Sequence, residues 1–334
     1  YPYHGGESER AVGRILQDGY REKVHLATKL PMWALEEEGD AERILDEQLE
    51  KLQTDHIDCY LFHGLRKPRW ETVQKFDLLD WAEEIKADGR VRHIGFSFHD
   101  DLETFKMIVD AYDDWDFCQI QYNYMDINNQ AGTEGLKYAA SKGLAVVVME
   151  PLLGGRLVDP PDPVQAIWDK APTVQTPVER ALRWLWDQPE VSVVLSGMST
   201  MDHVIENVAH ASEYAAGNMT DEDQALIAQA REKYNELCPI PCTKCEYCLP
   251  CAVELNIPRL FSMLNQGVMY NRLDEVRERY MRMDAEKRAE ACIACHECEE
   301  KCPQSIPIAD WMVHLDEILA QGMDVDACLA SMAE

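Results

Sequence analysis

The sequence predicts an α/β protein: a (β/α)8 (TIM) barrel over residues 1–213, a linking helix at 214–237, and an all-helical domain over 238–334. Three observations predict it. Short apolar segments alternate with amphipathic ones along the first two thirds of the chain, which is the pattern of parallel strands joined by right-handed helical crossovers. No G-x-G-x-x-G follows any of those apolar segments, so an open dinucleotide-binding sheet has no support. Past residue 240 the strand-like segments stop, and eight of the twelve cysteines crowd into two short runs.

Six strands are expected, at 24–29 (VHLATK), 57–63 (IDCYLFH), 93–98 (HIGFSF), 117–123 (FCQIQYN), 145–151 (AVVVMEP) and 191–197 (VSVVLSG). Each is apolar almost throughout, as strands buried on both faces are. Between them, 41–52 sets Leu45, Leu49 and Leu52 on one helical face, and 70–88 runs as a helix to a stop at Gly89. The segment 177–187 opens on Thr176, Pro177 and Glu179, a capping box with proline at the first helical position. Helices are also expected at 200–213, 258–265, 268–281, 284–292, 306–320 and 324–332, and Thr220 with Asp223 caps the linking helix. A barrel of this type needs eight strands. The expectation is therefore that the first two precede residue 1.

Composition narrows the function classes. The net charge of −29 disfavours nucleic acid and anionic lipid as partners. No apolar stretch approaches the ~18 residues of a membrane span. The opening YPYHGGESER has neither a basic nor an apolar leader region. A cytoplasmic protein is expected, and there clustered thiols are metal ligands more often than disulfides. Cys59 and Cys118 lie in apolar strand-like runs and are expected as free buried thiols.

The second cysteine run, Cys292, Cys295, Cys298 and Cys302 followed by Pro303, has the spacing C-x2-C-x2-C-x3-C-P. That is the bacterial ferredoxin signature for 4Fe-4S clusters. The first run, Cys242, Cys245, Cys248 and Cys251, is C-x2-C-x2-C-x2-C, with Ala252 where proline would stand. Zinc is the rival, but structural zinc sites present two separated pairs. Three or four thiolates within about ten residues favour a cluster. In two-cluster ferredoxins the fourth cysteine of each run serves the other cluster. By that rule Cys242, Cys245, Cys248 and Cys302 hold one cluster, and Cys292, Cys295, Cys298 and Cys251 the other. A ferredoxin-like iron–sulfur domain with at least one cluster, and two by spacing, is expected.

The predicted barrel strands carry polar residues towards their C-terminal ends: Lys29, His63, Ser97, Gln119 and Glu150. Those ends face the active site of such a barrel, and a lysine and a histidine in apolar runs are costly without partners. Here the chain resembles the aldo/keto reductase family. Tyr3-His4-Gly5-Gly6-Glu7-Ser8-Glu9, the ATK ending at Lys29, DCYLFHG at 58–64, KADGRVRHIGFS at 86–97 and LSGMSTMDHVIEN at 195–207 match its segments in order. The cysteine domain resembles the branch with a ferredoxin-type module. The resemblance implies carbonyl reduction: Tyr3 as general acid, Lys29 placing positive charge beside it, and His63 orienting the carbonyl. The family's catalytic aspartate, five residues before the tyrosine, is expected to precede residue 1.

For a nicotinamide, Ser97 and Gln119 are suited to a carboxamide, and Gly197, Ser199 and Asn207 to the pyrophosphate side. Around 197–207 stand Met198, Asp202 and His203 rather than arginine or lysine. A 2′-phosphate pocket is weak without them, so NADH is as credible as NADPH. Tyr1, His4, Trp33, Arg66, Lys67, Trp70, Tyr122 and Arg156 are candidate substrate contacts, whereas Arg66, Lys67 and Arg69 also read as a solvated loop. Three functions follow: an oxidoreductase whose clusters exchange electrons with a ferredoxin-like one-electron partner, a conventional NAD(P)H reductase with structural clusters, and an electron-carrier subunit on a retired barrel. The substrate expected is a small carbonyl compound.

Overall fold

The structure, a computed structural model, describes residue 1 and residues 3–332. The chain divides into two compact units, Tyr1–Leu153 with Ala181–Met219, and Gly154–Arg180 with Thr220–Glu334.

The first unit is built on six parallel strands: β1 Ala27–Leu30, β2 Ile57–Leu65, β3 Val91–Phe98, β4 Phe117–Gln121, β5 Ala145–Met149 and β6 Val191–Val194. They are hydrogen-bonded in sequence order, β1-β2-β3-β4-β5-β6. All six expected strands form, and the helices between them give the α/β architecture of a (β/α) barrel. The central strands are sealed because both their faces are apolar. Phe62, Phe96 and Trp115 pack edge-to-face, with ring centroids 5.8 and 4.9 Å from Trp115.

The helices differ from expectation in places. The stretch 70–88 forms two helices, Lys67–Lys75 and Leu78–Ala87, because Asp77 turns left-handed at φ 47°. Aspartate tolerates that conformation better than most residues. The break lets Trp70 and Val73 on one helix and Leu78, Ala82 and Ile85 on the other all face inward. Helices at Ser8–Ile15, Leu102–Asp110 and Gly132–Ser141 were not anticipated.

In the second unit, helix Asp221–Glu236 starts on the expected capping box of Thr220 and Asp223. Helices Ile257–Met269, Leu273–Met281, Ile308–Leu319 and Val325–Met332 follow. Their core gathers Phe261, Leu264, Tyr280, Trp311, Leu315 and Ile318. The helix expected at 284–292 is instead two short 3-10 turns, Ala285–Lys287 and Ala289–Ala291. The Tyr280 hydroxyl accepts from the Ala289 amide at 2.8 Å, taking the place of a helical bond. No helix among the described residues is long and apolar enough to cross a membrane.

Candidate active site and cluster ligands

Tyr3 lies in the short turn Tyr3–Gly6, and its hydroxyl is 3.1 Å from His63 Nε2 near the end of β2. Trp33, in the turn Met32–Ala34 just after β1, lies 4.9 Å ring to ring from His63 and is itself half exposed. Three aromatic rings thus converge where the strands end. Burial holds the His63 imidazolium down to a pKa of about 3, with Lys29, Arg69 and His99 pushing the same way. His63 is therefore a neutral imidazole. Its Nδ1 is buried without a partner among the described residues, and an orphaned buried N–H is rarer than an orphaned acceptor. The tautomer with hydrogen on Nε2 follows, which places a donor beside the Tyr3 hydroxyl.

Lys29 stands on β1 opposite Leu61. Burial lowers its pKa. Its backbone is positioned by a buried polar network that sequence reasoning did not detect. Gln48 Nε2 donates to the Lys29 carbonyl at 2.9 Å and to Glu9 at 2.7 Å, and Glu9 also accepts from Thr28 Oγ1 at 2.7 Å. Tyr60 closes the network on Gln48 Oε1 at 2.7 Å. Only the spacing of Gln48 on the inner face of helix Asp40–Leu52 could have signalled this.

Arg69 does not belong to a solvated loop. Its Nη1 donates to the carbonyls of Gly64 at 2.8 Å and His63 at 3.3 Å, and its guanidinium lies 5.2 Å from the Trp33 ring. It fixes the end of β2 that carries His63. Gly64 permits the contact: its φ is +63°, and a Cβ there would meet Arg69 Nη1 at 2.5 Å. Arg66 and Lys67 are exposed. Tyr122 is a core residue, its hydroxyl bonded to Thr133 and Gln188. Trp70 is buried, and the Tyr1 hydroxyl donates to Glu47. Arg156 belongs to the second unit.

Among the nicotinamide candidates, Ser97 and Gln119 pair in register on β3 and β4. Ser97 Oγ accepts from the Gly64 amide at 2.7 Å, which leaves its own hydrogen to donate. Gln119 Nε2 meets Met149 Sδ at 3.1 Å, and its Oε1 makes no hydrogen bond among the described residues. That pair retains a donor and an acceptor, as a carboxamide requires. Gly197 and Ser199 are exposed, and Asn207 Nδ2 donates to Ser196 Oγ at 3.0 Å.

None of the twelve cysteines forms a disulfide among the described residues. Cys242, Cys245, Cys248 and Cys302 line one small cavity with Phe261, Ile306 and Ile308. Burial raises the Cys248 thiol pKa, and Cys242, Cys245 and Cys302 add to that. Cys298 is pushed up to about 11, chiefly by burial, with Cys295 and Cys251 among the charges around it. The two runs also share a backbone. Lys244 and Ala294 are left-handed two residues after the first cysteine of each run, and Glu246 and His296 one residue after the second. Glu254 and Ser305 are left-handed three residues after the fourth. Alternating hands of this kind make amide-lined concavities that suit anionic groups. Converging thiols in such concavities fit an iron–sulfur cluster.

The aldo/keto reductase family model matches residues 1–232, and a 4Fe-4S dicluster domain model matches residues 241–306. L-galactose dehydrogenase of Arabidopsis thaliana is 27% identical over 71% of this chain and 80% of its own length. The NADH-specific methylglyoxal reductase of Escherichia coli is 25% identical over 69% of this chain and 81% of its own. Among solved structures, the holo form of an aldo-keto reductase from Bacillus halodurans aligns with a TM-score of 0.53 and 26% identity, covering 66% of this chain and 76% of that one. With the sheet, the ordered segments and the thiols in place, the chain belongs to the aldo/keto reductase family and carries a 4Fe-4S dicluster domain after its α/β unit.

Proposed function

We propose that this oxidoreductase reduces a small carbonyl compound and exchanges electrons through two 4Fe-4S clusters with a one-electron partner. The observation that carries the reading is the Tyr3 hydroxyl lying 3.1 Å from His63 Nε2 in a chain that also groups eight cysteines into two sets.

In this reading a carbonyl oxygen enters between Tyr3 and His63. His63, neutral, donates from Nε2 and sets the angle of the carbonyl. Tyr3 gives its proton to the oxygen. Lys29, a partly buried lysine whose charge bears on His63, stabilises the phenolate that remains. Trp33 covers the site and limits the carbonyl carbon's exposure to water. A bound nicotinamide, NADH or NADPH, would supply hydride, with Ser97 and Gln119 holding its carboxamide and Gly197, Ser199 and Asn207 its pyrophosphate side. The NADH named for the Escherichia coli relative supports NADH at least equally with NADPH. Cys242, Cys245, Cys248 and Cys302 would hold one cluster and Cys251, Cys292, Cys295 and Cys298 the other, each supplying one-electron chemistry. The domain that holds them spans residues 238–334.

The test is anaerobic. The purified protein is mixed with NADH or NADPH and its visible cluster absorbance followed. Bleaching is expected. Intact ketone reduction without bleaching would refute the coupling and leave a conventional reductase with structural clusters. Tyr3→Phe should lower carbonyl turnover by about 10²–10⁴ with unchanged iron content, and turnover unaffected by that change would remove Tyr3 from its role.

A further inference from the structure

We propose that the second unit carries a docking surface for an acidic one-electron carrier protein, in the groove formed by Arg156, Lys244, Arg259 and Arg279. This rests on the reading that the clusters exchange electrons with such a partner, and it names where.

The groove encloses about 440 Å³. Four of its lining side chains are cations and one, Glu246, is a carboxylate. None of the four cations forms an ion pair or a side-chain hydrogen bond among the described residues. Like charges act on Arg279: partial burial, then Arg156 and Arg259, lower its pKa, while Glu275 works the other way. A neighbouring hollow of about 300 Å³ shares Arg156 and Arg279 and adds Arg272, whose charge is met by Glu275 at 2.8 Å. Four cations without an ion pair among the described residues, gathered beside a single lining carboxylate, are unusual in a chain of net charge −29. That overall charge repels an acidic protein from most of the surface, so the groove is where one is drawn in and oriented.

Position gives the groove its purpose. Glu246 and Pro258 line both this groove and the cavity of Cys242, Cys245, Cys248 and Cys302. One layer of residues separates them. Electron exchange falls steeply with distance, and a partner seated in the groove is placed close to one group of thiols. The transfer is a single electron: the carrier's centre is oxidised by one, the cluster is reduced by one, and no bond or proton moves. Tyr247, two-thirds exposed next to Glu246, offers an aromatic contact of the kind found at protein interfaces. A small anion would suit an enclosed site, whereas Lys244, Arg259 and Arg279 are exposed side chains along an open groove.

The test mixes the holo-protein in stopped flow with a pre-reduced acidic two-cluster ferredoxin at several salt concentrations, and measures binding of the oxidised ferredoxin by calorimetry. The Arg156→Glu/Arg259→Glu/Arg279→Glu variant is compared, with the corresponding triple glutamine variant and dithionite reduction as checks on folding and clusters. For the parent protein, fast reduction that slows with salt is expected. The glutamate variant should react at least about tenfold more slowly, lose ferredoxin binding and lose the salt dependence, with the glutamine variant between and dithionite reducing all three alike. Equal ferredoxin rates in parent and variants overturn the proposal. So does a parent that dithionite reduces but ferredoxin neither reduces nor binds. Tripolyphosphate binding to the groove without slowing ferredoxin would assign it to a small anion and also overturn the proposal. Bleaching by NADH or NADPH is read separately, so loss of the groove effect alone leaves the broader function standing.

Discussion

Asn265 on helix Ile257–Met269 holds the entry to the first cysteine run, and Asn265→Ala should loosen it by a calculable amount. Its Oδ1 accepts from the Ile240 amide at 3.1 Å and its Nδ2 donates to the Ile240 carbonyl at 2.7 Å. Ile240 is fully buried and lies two residues before Cys242. The two losses are unequal. The Ile240 carbonyl also accepts from the Cys242 amide at 2.8 Å, so it stays paired. Its lost bond costs about 0.5–1.5 kcal/mol, while the amide left unpaired and buried costs about 1–3 kcal/mol. Together they amount to about 1.5–4.5 kcal/mol against local opening, or roughly tenfold to two-thousandfold in the open population. The assay is anaerobic iron release to a ferrous chelator. The variant should lose iron faster by that factor while keeping its helical circular dichroism. Asn265→Asp keeps the acceptor but sets an oxygen against the Ile240 carbonyl, so it too should release iron faster. Iron release within about threefold of the parent for both variants would refute the assignment of Asn265 as the anchor.

The remaining predictions concern the ligand groups and the active site. Cys302→Ser should perturb the same paramagnetic signal as Cys242→Ser and leave that of Cys292→Ser; a signal grouped instead with Cys292→Ser would refute the crossed pairing. Gly64→Ala should cost about 1–2 kcal/mol for the left-handed backbone and more for the collision with Arg69, and thermal unfolding measures it. His63 titrates at about 3 in the folded chain and at 6.5 when unperturbed. The unfolded chain therefore binds more protons between those values, and stability should fall as pH drops from about 6.5 towards 3. Denaturant titrations of His63→Gln should show that component removed, and an unchanged slope would refute it.

The sheet was legible because parallel strands buried on both faces must be apolar at almost every position, and six such segments stand out from their surroundings. Their ends were less legible. The segment 191–197 is strand only to Val194; the Leu195 amide still donates to the Val148 carbonyl at 2.9 Å, and the Ser-Gly that follows has no partner in the register. Helix Leu102–Asp110 carries its own start signal, Asp101 accepting from the Thr104 amide at 2.8 Å, but it was passed over between two stronger strand patterns. The break at Asp77 left no trace, because the apolar spacing continues across it and only the backbone changes hand.

The candidate chemistry-bearing residues were readable by type, and the residues that position them were not. A lysine and a histidine towards strand ends announce themselves, and Tyr3 is marked by the resemblance of the segment it opens. Gln48, Arg69, Asn265 and Tyr280 do not, because each acts through one or two bonds to backbone that only the fold brings near. Tyr280 shows how far this goes. Its hydroxyl accepts from the Ala289 amide, three residues before Cys292, and donates to Asp316 at 3.0 Å, tying the second run to helix Ile308–Leu319. Asn265 does the same for the first run. The cysteine spacing is irregular at Cys251, where one residue is missing and proline is absent. The backbone after the fourth thiol is nonetheless alike in the two runs. After Cys251 and after Cys302, the left-handed residue comes three positions on and the next helix begins six positions on, at Ile257 and Ile308. The shortened gap is therefore absorbed between Cys248 and Cys251, and the backbone that follows each fourth cysteine is the same in both runs.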